Sequence, residues 1–149
     1  MYEHILISTD GSDVAQKGVE CGLELAKSLQ AKVTILTVTE RFGHHGGTLK
    51  WDPASGERPG YEDSLSQDEI AGETLASAQA TARKVGVAVE TLHVHDACPS
   101  DAIIEAAQAE DCQLIVMASH GRSGLGRILL GSQTSDVLAR SPIPVLVVR

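Results

Sequence analysis

The 149-residue sequence has few aromatic residues, few cysteines and no long uninterrupted hydrophobic run. With four aromatic residues in all, the core must be built from aliphatic side chains. The three cysteines are odd in number and widely spaced, which argues against a disulfide framework and against a zinc site of paired cysteines. No apolar run approaches about 18 residues and no basic-then-apolar leader opens the chain, so we expect neither a membrane span nor a signal peptide. These absences favour a cytoplasmic protein.

Positive charge is also scarce. Lysine and arginine number 12 against 20 aspartates and glutamates, for a net charge of −8 at pH 7. Such a balance disfavours binding to nucleic acid and to anionic membranes, because both attract positively charged proteins. The length is typical of one domain with a sizeable core, so residues 1–149 are predicted to form a single domain.

Short apolar runs alternate with stretches of helical periodicity along the chain. The apolar runs are typical of strands buried on both faces, and the other stretches of helices with one apolar side. The first helix can be capped by Ser12 or Asp13. Gly18 and Gly22 in that helix indicate that it packs closely on the sheet. In the second helix, Ile70 is predicted to be buried. The alternation predicts an α/β fold, an open five-stranded, mostly parallel sheet with helices on both faces. The predicted strands are residues 4–8, 32–38, 87–95, 113–118 and 144–148, and the predicted helices are 14–29, 67–85, 99–110 and 132–140.

Regular periodicity disappears between about residues 39 and 66. Glycine, proline and polar residues dominate there, and a loop of this length in a compact domain is usually a functional lid or a disordered insertion. Few apolar side chains can anchor the segment, so we expect residues 43–60 to be mobile without ligand.

Two pairs of histidines are candidate metal ligands. His44 and His45 are adjacent and therefore point apart, and no carboxylate or cysteine spacing supports them as a metal site. His93 and His95 are two apart on a predicted strand and so share one face, which supplies half of a metal site at most. A solvated or hydrogen-bonded strand end is the simpler interpretation of the second pair.

The densest group of functional signals lies between Ala118 and Thr134, after a predicted strand and at the start of a predicted helix. Glycines let the backbone lie close to another group, and the unpaired amides of a helix start bind anions. With two arginines in an acidic chain, the stretch is a candidate phosphate cradle; an ordinary glycine-rich connection is the alternative. The residues concerned are Gly121, Arg122, Gly124, Gly126, Arg127, Gly131, Ser132, Thr134 and Ser135.

Two known phosphate-binding motifs do not fit this stretch. Gly121 and Gly126 have the spacing of a Walker A loop, but Arg127 and Ile128 stand where lysine and a hydroxyl residue are required. A dinucleotide fingerprint fails at Leu129, where its third glycine should stand. Both motifs are therefore excluded.

The predicted fold suggests where a ligand would bind. In open α/β sheets ligands bind beyond the carboxyl ends of the strands, where the strand order reverses. If this point lies between the first and fourth strands, Asp10 meets the 118–134 stretch there. A carboxylate repels phosphate but suits ribose hydroxyls, so Asp10 would take a sugar and the glycine-rich stretch the phosphates.

Several segments spread along the chain carry a family resemblance. They are Thr-Asp-Gly-Ser after the first strand, Leu-Ile-Val-Met in the fourth, Ser-His-Gly-Arg-Ser-Gly-Leu after it, Leu-Leu-Gly-Ser before the last helix and the final Ser-Pro-Ile-Pro-Val-Leu-Val-Val. Together they resemble the universal stress protein family, from about Glu3 to Arg149. The resemblance implies strand order 3-2-1-4-5 and a homodimer through the fifth strand, Pro144 to Val148. It also implies an ATP-binding regulatory protein of the stress response, with at most slow hydrolysis.

The nucleotide-binding branch of that family has the signature Gly-x2-Gly-x9-Gly-Ser/Thr. Laid on this chain, three of its defined positions fall on Gly121, Gly131 and Ser132. The first glycine falls on Ala118, which is a departure from the signature. Alanine adds a methyl group where the backbone approaches the ligand, and it disfavours positive φ.

The resemblance also implies how Mg-ATP would lie. Asp10 would contact the ribose, the backbone of Val38 would pair with adenine, and amides at Gly121, Gly131 and Ser132 would hold the phosphates. Mg²⁺ would be held mainly by the phosphates themselves. The predicted nucleotide-contacting residues are Asp10, Val38, Ala118, His120, Gly121, Arg122, Gly124, Arg127, Gly131, Ser132, Gln133 and Thr134.

Three other functions compete with nucleotide binding. A hydrolytic trio of Ser119, His120 and Asp10 is disfavoured because adjacent side chains diverge and no nucleophile elbow is present. A receiver-type phospho-acceptor switch would use Asp10, Asp96 and Ser119, but its paired acids and its lysine are missing, so only the fold is analogous. A universal stress protein that binds no nucleotide and acts through protein partners remains open because of Ala118.

Overall fold

The structure, a computed structural model, describes residues 1–40, 61–120 and 130–149. Five strands alternate with four helices, which confirms the predicted α/β class. In chain order the elements are β1 (His4–Ser8), α1 (Asp13–Leu29), β2 (Lys32–Val38), α2 (Tyr61–Val85), β3 (Val89–Val94), α3 (Pro99–Ala109), β4 (Leu114–Ala118), α4 (Ser132–Arg140) and β5 (Val145–Val148).

Most element boundaries agree with the sequence pattern, and one differs clearly. The helix α2 begins at Tyr61 and not near Gln67. Its first turns follow directly after the glycine- and proline-rich segment and carry mainly polar residues, so they lack the apolar stripe by which a helix is recognised. The segment 43–60, predicted to be mobile, and the pair His44 and His45 lie outside the described residues.

The five strands form one sheet in the order β3-β2-β1-β4-β5, as predicted. Each neighbouring pair is parallel. From the central strand β1 the chain continues to β2 on one side, and β4 lies on the other side. The strand order therefore reverses beside β1, and the carboxyl ends of β1 and β4 flank the predicted ligand position.

Both faces of the sheet are covered by helices, which explains why the strands read as continuous apolar runs. Successive residues of β1 point to opposite faces. Ile5 and Ile7 pack in a cluster with residues of α1 and α2, whereas Leu6 packs in a second cluster with residues of α3 and α4. All three of these side chains are fully buried.

The helix α1 lies close against the sheet at its two glycines, as the sequence predicted. A Cβ atom on Gly18 would stand 3.4 Å from the backbone nitrogen of Ala118. One on Gly22 would stand only 2.7 Å from Cδ1 of Ile7 and 3.3 Å from Cγ1 of Val116. Ser12 caps the helix, since its Oγ accepts a hydrogen bond of 3.2 Å from the Ala15 amide.

Burial varies along the part of α2 whose side chains the structure describes, residues 67–85. Ala78 and Ala82 are buried, but Ile70, predicted to be buried, is 44% exposed. Ile70 is an apolar residue on this helix because it borders a pocket and not because it enters the core. Within the described ranges, no helix is both long enough and apolar enough to cross a membrane.

The close contact at Gly22 predicts a penalty for adding a single methyl group. Replacing glycine by alanine inside a helix is worth up to about 1 kcal/mol in helix propensity. Gly72→Ala should show this gain, because nothing lies within 4 Å of its added Cβ. Gly22→Ala should be less stable than Gly72→Ala by about 1–3 kcal/mol through overpacking against Ile7. Urea denaturation of the two variants measures the difference, and equal stabilities would contradict the packing of α1.

Candidate functional site

A pocket of about 410 Å³ opens at the carboxyl edge of the sheet, where the strand order reverses. Its volume lies in the range of small-molecule sites, roughly 300–1,000 Å³. The ends of β1, β2 and β4 and the first turn of α4 line it. Among the predicted contact residues that the structure describes, all line this pocket: Asp10, Val38, Ala118, His120, Gly131, Ser132, Gln133 and Thr134. The others, Gly121, Arg122, Gly124 and Arg127, lie outside the described residues.

Asp10 is oriented by a tight turn at the end of β1. Its Oδ1 accepts a hydrogen bond of 2.9 Å from the Ser12 amide, and the Thr9 hydroxyl accepts one of 3.2 Å from the Gly11 amide. Gly11 has φ 79, a left-handed conformation that glycine adopts without strain. The turn therefore holds the carboxylate against the pocket wall while the chain enters α1.

The start of α4 differs in detail from the predicted phosphate cradle. The Gly131 amide donates a 2.8 Å hydrogen bond to the Ser119 carbonyl, so it is already used within the protein. The predicted contact of this amide with phosphate stays a prediction, and it would require the bond to Ser119 to be shared or broken. Gly131 has φ −57 and does not need positive φ, but a Cβ there would stand 3.1 Å from Cα of His120. Glycine at 131 is therefore favoured by the limited space beside His120 and not by backbone conformation.

The amides available to an anion are those of the first helical turn. Gly131 occupies the N-cap position and has no side chain with which to cap the helix. The first N–H groups of an α-helix have no partner within the helix itself. Here they belong to Ser132, Gln133 and Thr134, each of which lines the pocket. The helix dipole adds a partial positive charge at the same end.

Thr134 and Ala118 tie this helix start to the end of β4. Thr134 is buried, and its hydroxyl donates a 2.9 Å hydrogen bond to the Ala118 carbonyl. Ala118 is a buried strand residue, paired with Val148, and it does not have positive φ. The alanine at 118 therefore carries no strain in φ, and its difference from glycine is one methyl group at the pocket wall.

Gln133 connects α4 to the amino end of α3. Its Oε1 accepts a 2.9 Å hydrogen bond from the Ser100 amide and so caps α3. The fully buried Ser100 hydroxyl donates to Asp136, which also pairs with Arg140 at 2.8 Å. The hydrogen bonds from Ser100 and Arg140 lower the pKa of Asp136, so this carboxylate stays charged at neutral pH. Arg140 also pairs with Asp101, and the network holds the two helix starts together.

The apolar wall of the pocket was not predicted from the sequence. It is contributed by strand residues and by the helices α1, α2 and α3, which cover both faces of the sheet. Apolar residues in helices and strands were assigned to the core, since periodicity alone does not separate core from cavity. The lining residues that were missed are Ser8, Thr9, Ala15, Leu36, Thr37, Thr39, Glu40, Gln67, Ile70, Ala71, Thr74, Pro99, Ile103 and Met117.

The two competing catalytic constellations are not assembled in the pocket. Ser119 Oγ lies 3.0 Å from His120 Nδ1, so the expectation that these side chains diverge is wrong. The chain bends at Ser119 after β4, which turns both side chains the same way. Ser119 is nevertheless buried, with 5% of its surface exposed, and does not line the pocket. Of the receiver-type set, Asp96 also lies away from the pocket, and Asp10 alone lines it.

The sequence and the fold of this chain are similar to those of known proteins. A model of the universal stress protein family matches residues 1–149. A universal stress protein of Methanocaldococcus jannaschii is 32% identical over 149 residues, which cover 100% of this chain and 83% of that protein. Universal stress protein YxiE of Bacillus subtilis is 32% identical over 156 residues, with 100% of each chain covered. A crystal structure of a universal stress protein in complex with cAMP matches with a TM-score of 0.69 and 26% identity, covering 99% of this chain and 97% of that chain.

The bond between Thr134 and Ala118 should contribute measurably to stability. Thr134→Val keeps the shape of the side chain but leaves the buried Ala118 carbonyl without its donor, at a cost of about 1–3 kcal/mol. Ser135→Ala removes an exposed hydroxyl from the same helical turn and should change stability by less than about 0.5 kcal/mol. Thermal and urea denaturation compare the two. A Thr134→Val protein as stable as the wild type would assign no structural role to this hydroxyl.

Proposed function

The chain belongs to the universal stress protein family, and on that premise we propose that its pocket binds ATP and that binding regulates a cytoplasmic response to stress. The observation that carries the proposal is one pocket with three chemically distinct parts. Its lining combines the Asp10 carboxylate, the amino terminus of α4 and an apolar wall. These parts match the ribose, the phosphates and the base of an adenine nucleotide.

The base fits the apolar part of the pocket. Leu36, Ile70, Ile103 and Met117 line it from the sheet and from helices on both faces. Apolar side chains around a flat ring exclude water, and backbone groups supply the hydrogen bonds that select it. We assign that selective role to the backbone at Val38, the last residue of β2.

The sugar and the phosphates are assigned to different polar groups of the pocket. The Asp10 carboxylate can accept hydrogen bonds from ribose hydroxyls and repels phosphate. The amides of Ser132, Gln133 and Thr134, with the dipole of α4, attract phosphate. The Ser132 hydroxyl adds a further donor, and Mg²⁺ would be held mainly by the phosphates. The predicted contribution of Gly121, Arg122, Gly124 and Arg127 stays a prediction from the sequence.

A similar structure supports an adenine nucleotide as the ligand class, and the position of Ala118 is compatible with it. The similar crystal structure contains cAMP, which is an adenine nucleotide. Ala118 departs from the family's glycine, but it lies in a regular strand and costs only the space of its methyl group. A pocket of about 410 Å³ retains room for a ligand beside that methyl.

We propose binding with at most slow hydrolysis. Phosphoryl transfer relies on cations that stabilise the developing charge, commonly lysine or arginine. Neither residue type is present among the described residues that line the pocket. His120 lines it, with Nδ1 beside the Ser119 hydroxyl, and acts here as a residue that organises the loop.

The fifth strand is proposed as a homodimer interface. The carbonyls of Pro144 and Val148 accept hydrogen bonds from β4 residues. Backbone groups alternate sides along a strand, so those of Val145 and Val147 face away from β4. An apolar edge with outward-facing donors and acceptors is a liability unless it is paired, and a twofold axis lets it pair with its own copy.

Isothermal titration with Mg-ATP tests the pocket. Wild type should bind, and Asp10→Ala should weaken binding by about 1–3 kcal/mol through loss of the ribose contact. Asp13→Ala is the matched control, because Asp13 is exposed in the first turn of α1 and does not line the pocket. Ala118→Gly should bind as well as wild type or more tightly. Absence of binding by wild type and by Ala118→Gly would assign the protein to the branch that acts through partners alone.

Light scattering of edge variants tests the dimer. Val147→Pro removes an outward-facing N–H without removing a bond to β4, so it should be monomeric at about tens of micromolar, where the wild type is dimeric. Val147→Thr keeps the N–H and a branched side chain and should remain dimeric. Leu146 is less suitable because it packs against the core beneath α1. A monomeric wild type would overturn the proposed interface.

A further inference from the structure

A second group of polar side chains lies where the helix α2 meets the edge strand β3. Asp68 of α2 and His93 and His95 of the β3 end each offer one ligand atom, and these three atoms lie within 4.8 Å of one another. Asp68 Oδ1 is 3.1 Å from His95 Nδ1. The two imidazole rings stack with centroids 3.8 Å apart and planes inclined by 36°. The carboxylate supplies the partner that the sequence pattern of His93 and His95 lacked.

We propose that Asp68, His93 and His95 form a binding site for a divalent cation of the zinc class. Two imidazole nitrogens and one carboxylate oxygen are a ligand set that zinc accepts, and three protein ligands leave one position open to water or another donor. The site is distinct from the pocket, because none of these three residues is among the described lining residues. It therefore does not depend on the proposed binding of nucleotide.

A neighbouring hydroxyl group holds the imidazole ring of His93 in place. The Thr39 hydroxyl lies 3.0 Å from Nε2 of His93, and such a second partner fixes the orientation of a ligating ring.

Exposure distinguishes this cluster from a structural ion pair. The side chains of His95 and Asp68 are 58% and 51% exposed. An exposed ion pair contributes only about 0–1 kcal/mol to folding stability. It therefore does not explain why a second imidazole stacks on the first. The same exposure gives an ion direct access from solvent, which a metal site requires.

The position of the cluster gives a bound ion a structural consequence. It would join the amino-terminal half of α2 to the edge strand of the sheet. Gln67 and Ile70 flank Asp68 on α2, and both line the pocket, as does Thr39. An ion at this site would therefore fasten the α2 wall of the pocket to the sheet.

Titration of the whole metal-free protein with ZnCl₂ tests the proposal. Wild type should bind one zinc ion per chain, and zinc should raise its melting temperature. Asp68→Asn, His93→Asn and His95→Asn should each weaken zinc affinity more than about tenfold and lose the thermal shift, whereas Thr39→Val should weaken affinity less. Circular dichroism checks that each variant is folded. Cobalt(II) should give the visible absorption of a site with nitrogen and oxygen ligands in the wild type and in none of the Asp68→Asn, His93→Asn and His95→Asn variants.

Control variants separate this site from other donors in the chain. Glu90→Gln removes an exposed carboxylate from the same strand, and Cys98→Ser removes an exposed thiol. Both should bind zinc as the wild type does. The proposal is overturned if wild type shows no binding at about millimolar zinc, because a specific zinc site would be saturated far below that concentration. It is equally overturned if Asp68→Asn and His95→Asn bind as tightly as wild type, or if binding is lost only in Cys98→Ser or in a His44→Asn, His45→Asn double variant.

Discussion

The attachment of α4 to the end of β4 is the constraint on which the pocket depends. The Gly131 amide bonds to the Ser119 carbonyl, and the Thr134 hydroxyl bonds to the Ala118 carbonyl. Both contacts require close approach of two backbone segments, and a Cβ atom at 131 would stand only 3.1 Å from Cα of His120. They bring the first turn of α4 to the point where the strand order reverses. Without them the helix amides and the carboxylate of β1 would not face one cavity.

Polar and apolar parts of the pocket arise from different levels of structure. The polar groups come from local features, a turn after β1 and a helix start after β4, and each is recognisable in a short stretch of sequence. The apolar wall comes from packing, since residues from helices on opposite faces of the sheet, such as Ile70 and Ile103, meet beyond its carboxyl edge. A ligand with one flat apolar part and one charged part would contact both the apolar wall and the polar groups.

The sequence was sufficient for the fold and for the polar part of the site. Continuous apolar strands and a helix stripe are local signals, so β2 and α4 have the predicted bounds and the strand order is as the family resemblance implied. The start of α2 at Tyr61 was missed because its first turns are polar. The Asp68 cluster was missed because Asp68 is 25 or more residues from the two histidines and meets them only through packing of α2 on β3, for which spacing carries no signal.

The cap that Gln133 places on α3 has a consequence for which way a ligand can lie. The amino termini of α1, α3 and α4 reach the same cavity, at Ala15, Pro99 and Ser132, and a helix terminus with free amides would attract an anion. In α1 the Ser12 hydroxyl already accepts the bond of the Ala15 amide. Pro99 has no N–H, and the Ser100 amide is occupied by Gln133, so α3 presents a largely closed end. The amino terminus of α4 is then the one that attracts an anion, and the Asp10 carboxylate lines the same cavity. The cavity is thereby polarised in one direction, and a bound molecule with one negative end has one orientation rather than two.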